Sequence, residues 1–189
     1  MLIRTAPVDF NQGAPSSLPS TRMRHLFTPW RYSYITATAK PPDSDCFFCA
    51  AAAADDSDDA ARLVIHKARH HLVMLNLHPY SNGHVMVVPL EHMASPQESS
   101  EAVREEFWPL VLKCQRVLEA AYAPHGFNMG INLGTPAGAG VPGHYHFHVV
   151  PRWSGDTNFM TVLAEVRLVP EDLGRSRERL KALFVKEES

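Results

Sequence analysis

In GHYHFHVVPRW, residues 143–153, the histidines His144, His146 and His148 occupy every second position, with Tyr145 and Phe147 between them. Imidazole can ligate a metal, carry a proton or attack phosphorus, and its ordinary pKa near 6.5 leaves it largely unprotonated at neutral pH. On an extended strand the three imidazoles share one face, while Tyr145, Phe147 and Val149 share the other. A rise of roughly 3.3 Å per residue sets the outer two histidines about 13 Å apart along the backbone, too far to ligate one zinc at about 2 Å per bond. Two alternate histidines can still divide the work, one as a ligand completed from elsewhere and another free for chemistry.

The cysteines carry a second signal. Cys46 and Cys49 form a C-x-x-C pair, and Cys114 stands alone at core spacing within a helical pattern, where a free thiol packs as a small hydrophobe. An odd count does not suggest a disulfide framework. The C-x-x-C spacing suits a redox pair or half of a zinc site and does not separate the two. The acidic run DDSDD at 55–59 lacks the glycine and distal glutamate of a calcium loop and reads as a solvated face or loop.

These residues need elements to hold them. RLVIHKARHHLVMLNL, from Arg62, and HVMVVP, from His84, are rich in β-branched residues and flank the turn signals of HPYSNG, so they read as antiparallel strands. Between Ser99 and Tyr122, apolar residues recur at three- and four-residue steps, predicting an amphipathic helix. Pro109 within it removes a backbone donor and predicts a kink or a new helix start. FNMGINLG is a strand, TPAGAGVPG a glycine-rich loop and HYHFHVVP a strand antiparallel to FNMGINLG. A further strand around Thr161 to Val169 and a charged terminal helix from about Glu171 follow. Strands, one helix, then more strands predict an α+β fold, with a mostly antiparallel sheet of about five strands, a packed amphipathic helix and a C-terminal helix.

The chain has 189 residues, 45% hydrophobic and 20% charged, enough for one core. Residues 1–20, rich in Pro and Ser, read as a disordered tail, and 21–189 as a single domain with a loose segment at 40–60. A formal net charge of -2 provides no broad cationic field for nucleic acid or anionic membrane, so any phosphate binding must be local. No apolar run approaches the roughly eighteen residues needed to span a bilayer, and the polar N-terminus is unlike a signal region, so a cytoplasmic location is expected.

HYHFHVV fits the pattern His-φ-His-φ-His-φ-φ, with φ apolar, and with PRW it resembles the histidine-triad (HIT) superfamily of nucleotide hydrolases and transferases. The resemblance runs from about Leu26 to Met160 through LFTPWRYSYI, CFFC, LNLHPYSNGHVMVVP, PHGFNMGINLG and PRWSGDTNFM. It is strongest toward the branch of bacterial diadenosine tetraphosphate phosphorylases and related hydrolases. It implies an enzyme with a nucleotide substrate, a HIT-like fold and a homodimer. The middle histidine, His146, would be the nucleophile toward the α-phosphorus of a dinucleoside polyphosphate, with a nucleotidyl-histidine intermediate. His148 would contact phosphate and help the leaving group. Asn76 and Asn132 match positions that bind ribose or phosphate, and the loop with Gly138 and Gly140 would offer backbone N–H groups to phosphates. Many members carry Ser, Thr or Gln just before the triad, whereas GAGVPG offers only backbone. Zinc-bearing relatives place ligands at positions corresponding to Cys46, Cys49, His92 and His144, which implies a closed structural zinc site tethering the 40–60 segment. His84 reads as structural. Removal of AMP from adenylylated amines or sulfates, as in other branches, and a catalytically weak nucleotide-binding module are the alternatives.

Overall fold

The computed structural model describes residues 46–156 and 171–187. The expected tail, the LFTPWRYSYI stretch and the strand around Thr161 to Val169 lie outside the described residues. Three α-helices and five strands are described, besides short 3-10 turns: α1 (Phe47–Ala53), β1 (Val64–Lys67), β2 (His71–Leu75), β3 (Val85–Pro89), α2 (Glu101–Tyr122), β4 (Gly126–Ile131), β5 (Phe147–Arg152) and α3 (Leu173–Lys186). The strands form one sheet in the order β1-β2-β3-β5-β4, and every neighbouring pair is antiparallel. This is the α+β arrangement expected from the sequence.

Strand alternation divides the sheet into two working faces. Val73 and Leu75 of β2, Val85 and Val87 of β3, and Phe147 and Val149 of β5 face α2 and α3 in the main core. Leu72, Met74, Met86 and Val88 face the other way and pack with Phe48 and Ala51 of α1. Those two residues lie three apart and so share one side of the alanine-rich helix FFCAAAA. Met86 pairs with His148 and Val87 with Phe147, which puts the histidine row on the α1 face. Both faces of the central strands are buried, so β2 and β3 show no exposed residue.

Helix α2 is continuous over 22 residues with Pro109 inside it, so no new helix starts there. Pro109 is exposed, and the carbonyl that loses its partner belongs to exposed Glu105, where water can replace the missing donor. Ser100 caps the N-terminus by accepting from the Val103 N–H, and Ala123 ends the helix in the left-handed conformation. Cys114 is wholly buried in the main core, as its spacing predicts, and burial pushes its thiol up to about 12. The acidic run is less solvated than expected, because Asp59 is buried and pairs with Lys67 at 3.0 Å. Among the described residues, no helix is long and apolar enough to cross a membrane.

Candidate active site and metal centre

Cys46 is the N-cap of α1 and Cys49 lies on its first turn, so the three-residue spacing turns both thiols to one side. His92 follows β3 by three residues, and His144 precedes β5 by the same interval. Because β3 and β5 are antiparallel neighbours, the end of one meets the start of the other. One ligand atom from each of Cys46, Cys49, His92 and His144 falls within 4.8 Å of every other. Cys46 Sγ is 3.4 Å and Cys49 Sγ 3.5 Å from His144 Nδ1, and Cys49 Sγ is 3.2 Å from His92 Nδ1. A tetrahedron with bonds of about 2.0–2.3 Å has edges of roughly 3.3–3.8 Å. The four side chains therefore form a Cys2His2 cluster compatible with a structural zinc site. Burial, with Cys46 beside it, pushes the Cys49 thiol up to about 11.

The hydrogen bonds fix which nitrogen of each histidine is bare, since a carbonyl or an N–H on one ring nitrogen dictates its protonation. His144 Nε2 lies 2.9 Å from the Pro89 carbonyl and must donate, so its Nδ1 lone pair faces the thiols. His146 Nδ1 donates to the His144 carbonyl at 3.0 Å, which leaves Nε2 bare. The Tyr80 N–H donates to His84 Nδ1 at 3.1 Å, so His84 Nε2 carries the proton and donates to His148 Nδ1 at 2.9 Å. His148, in turn, keeps its own proton on Nε2. The rings of His146 and His148 stand 4.9 Å apart. Burial, with His146 alongside, pushes His148 down to about 4, and burial also lowers His146 against the opposing pull of its carbonyl partner. Both are neutral at pH 7, one presenting an imidazole lone pair and the other an N–H.

Both histidines line a cleft of about 1100 Å³ together with Asn76, Asn132, Gly138 and Gly140. All six expected cleft residues thus meet in one place, and the four expected ligands meet beside it through the backbone between His144 and His146. Asn76 Oδ1 accepts the His78 N–H at 2.8 Å, which commits the amide oxygen to the turn. In the glycine loop, Gly138 adopts φ +90 and the N–H groups of Ala137, Gly138 and Ala139 close back onto Gly134 and Thr135 carbonyls. The sequence reading missed the place of His84 beside His148. Its parity with Met86 put it on the right face, but only the β3–β5 register, set by residues far apart in the chain such as Met86 and His148, brings the two rings together.

The sequence pattern of the HIT domain matches residues 58–155. The chain belongs to the HIT family. This HIT protein is 33% identical over 162 residues to an AP-4-A phosphorylase of Mycobacterium tuberculosis, covering 84% of this chain and 83% of the relative. Among solved structures, a Zn-bound histidine triad family protein from Mycobacterium smegmatis superposes with a TM-score of 0.60 at 27% identity, covering 76% of this chain and 96% of that one. A hypothetical histidine triad nucleotide-binding protein from Sulfolobus tokodaii, with a TM-score of 0.58 at 21% identity over 76% of this chain and 94% of that one, shares the fold. The HIT protein is thus a member of an enzymatic family with nucleotidyl-transfer and hydrolase activity on nucleotides, and its Cys2His2 cluster is consistent with the Zn-bound state of the Mycobacterium smegmatis relative.

Proposed function

We propose that this protein transfers or hydrolyses nucleoside monophosphate groups from dinucleoside polyphosphates such as diadenosine tetraphosphate, through a nucleotidyl-His146 intermediate. The observation that carries the reading is the bare Nε2 of His146, fixed by the His144 carbonyl, beside a neutral His148 whose proton is held on Nε2. His146 Nε2 attacks the α-phosphorus and forms a P–N bond as the bond to the bridging oxygen breaks. His148 Nε2–H bonds to the departing oxygen. Water or inorganic phosphate then attacks the same phosphorus and releases His146. Asn132 and the donor end of the Asn76 amide meet phosphate or ribose. Because three N–H groups of the loop serve the loop itself, backbone contacts to phosphate fall to Gly140 and the residues after it.

Cys46, Cys49, His92 and His144 would hold zinc, which, when bound, supplies a rigid closed centre with all four positions taken by protein. That tie fixes the backbone of His144, whose carbonyl orients His146. The 33% identity to the AP-4-A phosphorylase supports the substrate class. A homodimer built along β4, an edge strand of the sheet among the described residues and one with no fully buried residue, completes the reading.

Incubation with diadenosine tetraphosphate, with and without phosphate, tests the substrate. ADP with ATP in the presence of phosphate marks phosphorolysis, AMP with ATP marks hydrolysis, and no turnover under either condition overturns the proposal. His146→Gly should abolish the covalent AMP adduct. Metal analysis of the purified chain should return about one zinc per chain.

A further inference from the structure

Tyr80 belongs to the turn between β2 and β3 and has two connections to the cleft. Its backbone N–H holds His84 Nδ1 at 3.1 Å, and its ring lies 4.7 Å from the His84 ring and 6.2 Å from the His148 ring. The residue is nonetheless 49% exposed and lines the cleft wall. His84, against which it packs, is wholly buried, so the Tyr80 ring is the part of this pair that reaches the cleft.

The order of rings gives the cleft a direction. Phe48 stands 4.8 Å from His146, His146 stands 4.9 Å from His148, and Tyr80 stands 6.2 Å from His148. In a displacement at phosphorus the attacking and departing atoms are roughly in line. His148, whose N–H serves the departing oxygen, is in ring contact with both His146 and Tyr80, which puts Tyr80 beside the leaving-group end of the histidine chain. The cleft, at about 1100 Å³, exceeds the roughly 300–1,000 Å³ of sites that enclose one drug-sized molecule, which leaves room for a second ring system.

We propose that Tyr80 is a stacking platform for the base of the departing nucleotide, so that the protein prefers dinucleoside polyphosphates over mononucleotides carrying the same phosphates. The inference rests on the nucleotidyl-transfer reading and adds to it the element that recognises the half of the substrate not retained on His146. Stacking on an aromatic face tolerates any base, so the selection is for the presence of a base and not for its identity.

The test compares kcat/KM for diadenosine tetraphosphate, which releases ATP, with adenosine 5′-tetraphosphate, which releases triphosphate; the leaving groups differ by one adenosine. Tyr80→Leu keeps bulk over His84 and removes the aromatic face. It should lower the ratio of the two kcat/KM values by roughly tenfold, within the range for loss of one base–aromatic stack. Tyr80→Phe and Tyr80→Trp should hold the ratio near that of the unmodified protein. A Tyr80→Leu variant that slows both substrates by the same factor, or neither, overturns the platform while leaving the nucleotidyl-transfer reading intact. Failure of the unmodified protein to act on either substrate overturns both. Product inhibition tests the same contact: Tyr80→Leu should weaken inhibition by ATP and leave inhibition by triphosphate unchanged, and an equal change for both overturns the platform.

Discussion

His84 shows how one buried imidazole can set the chemistry of another. Its Nδ1 is taken by the Tyr80 N–H, so its proton must lie on Nε2 and face His148. Replacing it by alanine leaves His148 Nδ1 without that donor in a buried site and lets the other tautomer compete. In His84→Ala, kcat for nucleotidyl transfer should fall about 10- to 100-fold, at or below the low end of the usual contribution of a positioned acid or base because His148 itself remains, while KM changes little. Steady-state kinetics checks the split, and an effect confined to KM would count against the tautomer chain. The triad, the cysteine pair and His92 were legible because local spacing and family resemblance mark them. His84 was not, because its role depends on a contact across strands and on a hydrogen bond from a turn.

At the scale of elements, Glu106 ties helix to sheet. On α2, it accepts from the His70 N–H and from His71 Nδ1, both at 2.9 Å, and His71 is wholly buried on β2. Burial holds His71 below its ordinary pKa despite the carboxylate, and its Nε2 has no hydrogen-bond partner among the described residues, as suits a neutral ring. Glu106→Ala strands two donors and should cost about 1–3 kcal/mol per donor left buried without a partner, read by denaturant unfolding. A loss below ~0.5 kcal/mol would mean that water reaches both donors. The β2–β3 turn is held to the same helix: a Cβ at Gly83, where φ is +70, would meet Tyr122 Cε2 at 2.7 Å. Helix α2 and the strands were legible from their periods of 3.6 and 2. The unbroken passage of α2 through Pro109 was not, because it depends on which side of the helix faces water.

Across the whole molecule, burial keeps His71, His146 and His148 neutral and lowers all three relative to an unfolded chain. Below the ordinary imidazole pKa the unfolded state therefore binds more protons than the native one, so stability rises with pH through this range. Their contribution is complete above about pH 6.5 and is lost as pH falls toward the depressed native values, near 4 for His148. Thermal unfolding should show Tm dropping between pH 7 and pH 5, and a Tm that is flat or rising on acidification would contradict the burial of neutral rings. The sheet order was only partly legible, since β5 inserts between β3 and β4, a placement set by long-range pairing and invisible to local pattern.

The Cys2His2 cluster also imposes a timetable on the newly made chain. Cys46, Cys49 and His92 leave the ribosome together with the first three strands, but His144 comes 52 residues after His92 (144 − 92). At roughly 5–20 residues per second, three ligands wait about 3–10 s for the fourth. During that interval α1 has no tie to the strand that will carry the nucleophile. Closure of the cluster is thus a late event of synthesis, and it coincides with emergence of the residues it serves to orient.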